Sequence, residues 1–102
     1  TFSGGPFRTS VMVPAEKFRL LEGSPRKYEK TAESGTTRAL HFCDQCGTHV
    51  WGAAPGDDAP AYSVRVGTLK QRAELSPVAQ VWSRSRLPWI DQLSDLHTIE
   101  TQ

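Results

Sequence analysis

The sequence predicts an all-β domain in which short antiparallel strands form two small sheets, with little helix. Apolar and polar side chains alternate with a period of two over residues 7–13, 37–43 and 62–66, which is the pattern of half-buried strands. The 102 residues include 8 Gly and 7 Pro, slightly above the average share of roughly 12%, which favours many turns over long helices. A chain of this length holds one modest core, so we expect a single domain over residues 1–102.

The first predicted strand covers residues 7–13 and ends at Pro14, because proline cannot donate to a strand ladder. Its inward face is expected to carry Phe7, Thr9, Val11 and Val13. Gly23 and Pro25 follow too soon for a full helix, so the apolar residues before them are expected to enter the core from a strand or a single turn. These residues are Phe18, Leu20 and Leu21. A short strand over residues 26–30, with Tyr28 inward, comes next.

The later strands follow from the same alternation and from turn signals. The strand over 37–43 is expected to place Leu40 and Phe42 on one face and Ala39, His41 and Cys43 on the other. Brief strands are predicted at 50–51 and 62–66, separated by a Pro/Gly/Asp loop. A last strand is predicted over 78–82, and a short terminal helix over 88–93, where Ile90 and Leu93 lie three residues apart.

Charge and hydropathy exclude several functional classes. The 12 Lys and Arg nearly balance the 11 Asp and Glu, so the chain as a whole has no single-signed field, and no nucleic-acid or membrane-surface partner is predicted. No run approaches the roughly 18 apolar residues of a membrane span, and the first residues do not resemble a secretory signal. We therefore expect a cytoplasmic protein. The first residue is Thr rather than Met, which suggests a trimmed chain.

The two cysteines form the sharpest motif, Cys43-Asp44-Gln45-Cys46-Gly47, at the end of a predicted strand. Two thiolates separated by two residues converge on one zinc ion when the chain turns between them, and a glycine after the second cysteine permits that turn. The alternatives are a redox dithiol or two ordinary buried thiols. Zinc is favoured, since a thioredoxin-like pair opens a helix whereas strands flank this pair.

A structural zinc takes four ligands, and only two thiols are present. The other candidate ligands are His41, His49 and His97, of which His49 lies three residues beyond Cys46. A histidine beside such a turn more often packs its ring or binds a carbonyl, so we expect the missing ligands to lie outside this chain.

A second cluster concentrates two indoles and two guanidiniums in eight residues, at Trp82, Arg84, Arg86 and Trp89. Such side chains can line a cleft and grip carboxylates, although core packing with arginines stacked on the rings explains the same residues. The neighbouring Asp57 and Asp58 lie in a polar loop and are interpreted as a solvated turn, because paired catalytic carboxylates need apolar confinement.

Several motifs, in this order and spacing, resemble the glutathione-dependent formaldehyde-activating enzyme family, which includes centromere protein V. The resemblance covers nearly the whole chain. It is carried by Ser3-Gly4, Pro6-Phe7, Val13-Pro14 with Phe18 and Gly23, Phe42-Cys43-Asp44-Gln45-Cys46-Gly47-Thr48, Gly67-Thr68-Leu69, and Trp82-Ser83-Arg84-Ser85-Arg86-Leu87-Pro88-Trp89.

The resemblance implies an antiparallel two-sheet zinc β-fold in which Cys43 and Cys46 hold a structural zinc together with an upstream Cys-x-Cys pair. It also implies a catalytic zinc, held by a Cys-x-Cys-x-x-Cys cluster just before the Ser3-Gly4 match. Residues 1–102 contain neither upstream group, so the catalytic zinc ligands are missing. We therefore expect that this chain lacks the N-terminal cysteine segment of the family. Lys70 stands where the family commonly has Asp.

The implied function is a zinc-dependent carbon–sulfur lyase or synthase acting on a glutathione-like thiol adduct such as S-hydroxymethylglutathione. Trp82, Arg84, Arg86 and Trp89 would then bind that adduct. The first alternative is a non-catalytic zinc β-module that serves as a binding or scaffold domain. A redox Cys-x-x-Cys protein is the second alternative.

Overall fold

A computed structural model describes residues 4–56, 58–81 and 83–101. The chain divides into two compact units, one of Thr9–Ser76 and the other of Thr1–Arg8 with Pro77–Gln102. Within the described residues, no helix has the length and apolar character that crossing a bilayer requires.

The unit Thr9–Ser76 is built on one antiparallel sheet of five strands. The strands are β1 (Ser10–Pro14), β2 (Arg26–Thr31), β3 (Thr37–Phe42), β4 (His49–Ala53) and β5 (Ala61–Arg65), in the spatial order β1-β5-β4-β3-β2. Strands β2 to β5 are therefore sequential neighbours, and β1 joins the sheet beside β5. The unit also holds three short 3₁₀ helices, Ala15–Lys17, Val66–Thr68 and Arg72–Glu74.

The prediction of a mostly β, antiparallel fold is confirmed, since every helix among the described residues is a 3₁₀ helix. The described strands form one sheet, whereas two small sheets were expected. The difference arises because β4 pairs with both β3 and β5, which joins all five strands into a single ladder. The first strand begins at Ser10 rather than Phe7, after a segment containing Gly4, Gly5 and Pro6.

The predicted strand over residues 78–82 is wrong over 78–81, where the chain forms no strand; Trp82 lies outside the described residues. Val78 and Val81 are three residues apart, which breaks the period of two, and Val78 is 99% exposed. The predicted terminal helix exists as a 3₁₀ helix, Pro88–Asp95, and proline occupies its first turn, where its missing N–H costs no hydrogen bond. A shorter 3₁₀ helix, Ser83–Ser85, precedes it.

One face of the sheet, here called the core face, packs the apolar residues together. Successive side chains along a strand point to opposite faces, so the register assigns each residue to a face. The core face of β1, β4 and β5 carries Val11, Val13, Trp51, Ala53, Tyr62 and Val64. Phe18 lies over them, with its ring stacked on Tyr62 at 4.2 Å and edge-on to Trp51 at 5.0 Å between centroids.

The opposite face, here called the second face, carries Ser10, Met12, Arg26, Tyr28, Lys30, Arg38, Leu40, Phe42, Gly52, Ser63 and Arg65. The expected separation of Leu40 and Phe42 from Ala39 and His41 is confirmed by this register. Tyr28 was expected to point inward, but it is 52% exposed, because β2 is an edge strand whose residues are all exposed.

We expect Phe18→Ala to lower the free energy of unfolding by about 3 kcal/mol, the low end for a buried phenylalanine, because the ring is half-buried but contacts two core aromatics. The measurement is urea unfolding followed by tryptophan fluorescence. Leu21→Ala is the matched control from the same segment. Since Leu21 is 77% exposed, the control should stay within about 0.5 kcal/mol, and equal losses would contradict the assignment of Phe18 to the core.

Candidate functional site

The cysteine motif forms the turn between β3 and β4, over residues 43–48. The Cys43 N–H donates to the carbonyl oxygen of Thr48 at 2.8 Å, and the Gly47 N–H donates to the carbonyl oxygen of Cys43 at 2.9 Å. Gly47 has φ +76°, in the left-handed region that side chains with a Cβ disfavour. The glycine after the second cysteine therefore closes the turn, as its position in the motif predicted.

Hydrogen-bond donors of the same turn reach both sulfur atoms. The Gln45 N–H donates to Cys43 Sγ at 3.4 Å, and Thr48 Oγ1 lies 3.1 Å from Cys46 Sγ. The pKa of the Cys46 thiol is lowered, first by the Thr48 hydroxyl, then by the Thr48 backbone N–H and the Cys43 side chain, against a smaller opposing effect of desolvation. The two thiols are free of any disulfide. Because the thiolate is the form that binds metals, this turn favours the ligating state of Cys46.

The donor set fits half of a tetrahedral zinc site. Two sulfurs follow the spacing that zinc requires, and backbone and hydroxyl donors support them. In residues 4–56, 58–81 and 83–101, no three or more His, Cys, Asp or Glu side chains gather where they could hold a metal. His49 instead lies across from Phe42, and the two rings are tilted at 6.3 Å. The assignment of Cys43 and Cys46 as metal ligands stays a prediction.

The His41 side chain packs on the core face of the sheet and does not join the cysteines. Its ring stacks on Trp51 at 4.5 Å between centroids, directly across the β3–β4 ladder. Burial lowers the pKa of His41, the charge of Lys27 lowers it further, and a backbone hydrogen bond at Ala39 opposes both effects. His41 Nδ1 and Trp51 Nε1 are buried without a hydrogen-bond partner in the described part of the chain.

The sequence analysis did not identify two residues that contact candidate ligands: Thr48, which contacts Cys46, and Trp51, which stacks on His41. Thr48 stands two residues after Cys46, beyond a left-handed glycine, and a hydroxyl at that offset can return to the sulfur. That signal was present in the motif. The stacking of Trp51 on His41 depends on the register between two strands, for which the local pattern carries no signal.

The predicted substrate-binding residues belong to the other unit, which contains Pro77–Gln102. Arg84 lies in the helix Ser83–Ser85, and Trp89 is exposed in the helix Pro88–Asp95. Arg86 forms a salt bridge with Asp91, and its guanidinium lowers the pKa of that carboxyl. Trp82 and Asp57 lie outside the described residues, while Asp58 is exposed. Their role in binding stays a prediction.

Comparison with known proteins identifies one family. The model of the glutathione-dependent formaldehyde-activating enzyme family matches residues 1–85, a range that includes both cysteines and the five strands. Searches of curated proteins and of solved structures returned no match.

We expect Gly47→Ala to lower the free energy of unfolding by about 1–2 kcal/mol, the cost of a left-handed residue with a Cβ. The control is Gly67→Ala, where the φ is not positive and an added Cβ meets nothing within 4 Å. That control should be neutral or stabilising by up to about 1 kcal/mol. Chemical denaturation measures both variants, and a Gly47→Ala chain as stable as the control would show that the turn does not need its observed φ.

We expect Cys46 in the chelator-treated chain to react with iodoacetamide at lower pH than an ordinary thiol, because its folded pKa is depressed. Thr48→Val removes the hydroxyl donor, so it should raise this pKa and slow alkylation near neutral pH. Thr36→Val, in the β2–β3 turn, is the control and should leave the rate unchanged. Mass spectrometry of the modified peptide measures the rate at each pH, and an unshifted profile in Thr48→Val would contradict the role of the hydroxyl.

Proposed function

The chain belongs to the glutathione-dependent formaldehyde-activating enzyme family, and from that premise we propose that it is a zinc-dependent carbon–sulfur lyase or synthase domain. Its substrate would be a glutathione-like thiol adduct such as S-hydroxymethylglutathione. The observation that carries the proposal is the family match over residues 1–85, a range that contains a turn already arranged to favour a thiolate at Cys46.

Cys43 and Cys46 would supply two ligands of a structural zinc, and further strands or segments would supply the others. The chain has two cysteines, so a tetrahedral thiolate site needs two more sulfurs from outside residues 1–102. We propose that an N-terminal segment with further cysteines supplies them, together with the ligands of a catalytic zinc. When bound, a zinc ion with an open coordination position polarises a substrate oxygen or stabilises a thiolate.

The proposed reaction joins a thiol to a carbonyl compound or reverses that addition. In the synthetic direction a carbon–sulfur bond forms, the carbonyl π bond breaks, and the thiol proton ends on the new hydroxyl oxygen. Arg84 and Arg86, with Trp89 and Trp82, would bind the carboxylates and body of the adduct, since a guanidinium matches a carboxylate with two parallel hydrogen bonds. Arg86 is paired with the carboxylate of Asp91, so a substrate carboxylate would have to replace or share that contact.

The second candidate is a non-catalytic zinc β-module that binds a partner. The specific observation in its favour is the ligand count, because the sequence has only two thiols and the described side chains form no group of three metal ligands. A catalytic zinc needs about three protein ligands plus an open position. Because the part of the chain that the structure describes gathers no such set of ligands, a binding role is the second candidate.

The test compares the 102-residue chain with an N-terminally extended chain for formation or breakdown of S-hydroxymethylglutathione, with and without a chelator. We expect chelator-sensitive turnover in the extended chain only. Cys43→Ser in that chain should reduce bound zinc, whereas Asp44→Asn, a control in the same turn, should retain it. Equal zinc-dependent turnover by both chains would refute the ligand-count argument, and no turnover by either would favour the binding module.

A further inference from the structure

The strand register separates the charged residues of the sheet by face. Arg26 and Lys30 on β2, Arg38 on β3 and Arg65 on β5 all belong to the second face. No Asp or Glu occupies a strand position on that face, since the one strand carboxylate, Glu29, lies on the core side with Lys27. These two form a salt bridge of 3.6 Å between Nζ and Oε1. Every charged residue at a strand position of the second face is therefore a cation, although the chain carries a net charge of only +1.

Aromatic rings lie among these cations. Tyr28 stands between Arg26 and Lys30 on β2 and is 52% exposed. Phe42, directly opposite Arg26, is half-buried and packs at an angle against His49. Since residues two apart on a strand are separated by about 6.6 Å, the two β2 cations flank the tyrosine over about 13 Å.

Nearer β5, the arginine of the second face lies along the sheet and is buried, so the exposed cations of this face are those of β2, with Arg38 half-buried beside them. Arg65 is buried and donates from Nη1 to Ser10 Oγ at 2.8 Å and to the carbonyl oxygen of Ser63 at 3.4 Å. Its guanidinium crosses Gly52, where an added Cβ would lie 3.8 Å from Nη2 and 3.0 Å from Leu40 Cδ2. A glycine at this position lets the charged side chain lie along the sheet.

We propose that the second face binds single-stranded nucleic acid. Phosphates pair with a row of Arg and Lys, and bases stack on exposed aromatic rings between them, which is how sequence-tolerant single-strand binders work. An acidic peptide would use the cations but gains little from a ring placed between them. Glu33 and Asp44 follow β2 and β3 along the chain and lie in turns, outside the strand positions of this face.

This binding is independent of the cysteines and of the proposed lyase activity. The test is fluorescence anisotropy of a labelled oligo(dT) of about 12 nucleotides, a length within the range of known single-strand sites. Tyr28→Ala is expected to weaken binding about five-fold or more, the effect of losing one stacked base. Raising the salt from about 50 to 200 mM should weaken binding, and Arg26→Gln should reduce the slope of log affinity against log salt by about 0.7.

The matched control is Lys27→Gln, which removes the same charge from the same strand on the other side of the sheet. Lys27→Gln should change the affinity for oligo(dT) by less than about two-fold. A second control, Arg26→Lys, keeps the charge and tests folding, and it should retain binding. The proposal is overturned if oligo(dT) does not bind at low salt, or if Lys27→Gln weakens binding as much as Arg26→Gln. It is also overturned if oligoglutamate competes equally and Tyr28→Ala has no effect, which would identify an acidic protein partner.

Discussion

The pairing of β4 between β3 and β5 is the constraint on which both faces of the sheet depend. Trp51 and Gly52 are consecutive residues of β4, so one must point into the core face while the other faces away. Trp51 then meets Phe18, and Gly52 leaves room for Leu40 and for the guanidinium of Arg65. A slip of one residue in β4 would turn Trp51 to the second face and Gly52 to the core face, so the indole would lose its contact with Phe18.

The geometry of the cysteine turn follows from that pairing. The register between β3 and β4 shifts between His41 and Phe42, so β4 accommodates an extra residue beside the turn and Val50 also packs against the core. The chain between the two strands must then close over residues 43–48. Several N–H groups of such a tight turn lie beyond the strand ladder, and that of Gln45 donates to Cys43 Sγ. The backbone N–H of Thr48, in the same turn, helps to lower the pKa of Cys46, which links local backbone geometry to the chemistry expected of this site.

How much could be predicted from the sequence depends on whether the responsible interaction is local. The alternation around Val11, Leu40 and Val64 predicted strands because side-chain direction has a period of two within any strand. The Cys43–Cys46 turn was also predictable, since its spacing and following glycine lie within five residues. The number of sheets and the stacking of His41 on Trp51 were not, because both depend on which strands pair and in what register. The expected strand near Val78 failed for a related reason, since apolar residues without a facing partner gain nothing from extension.

The arguments about function also depend on strand register, because register decides how charge is distributed over the two faces. Total charge is a sum over the chain, whereas a ligand meets only the side chains that one surface presents. The alternation Arg26-Lys27-Tyr28-Glu29-Lys30 places its single carboxylate on one side of β2 and most of its positive charge on the other. Pairing with β3 adds Arg38 to the positive side, whereas Arg65 of β5 belongs to the same side but is buried. A nearly neutral chain can thus present a strongly positive face once the register is known, so a balanced composition excludes a charged partner only where the faces are balanced as well.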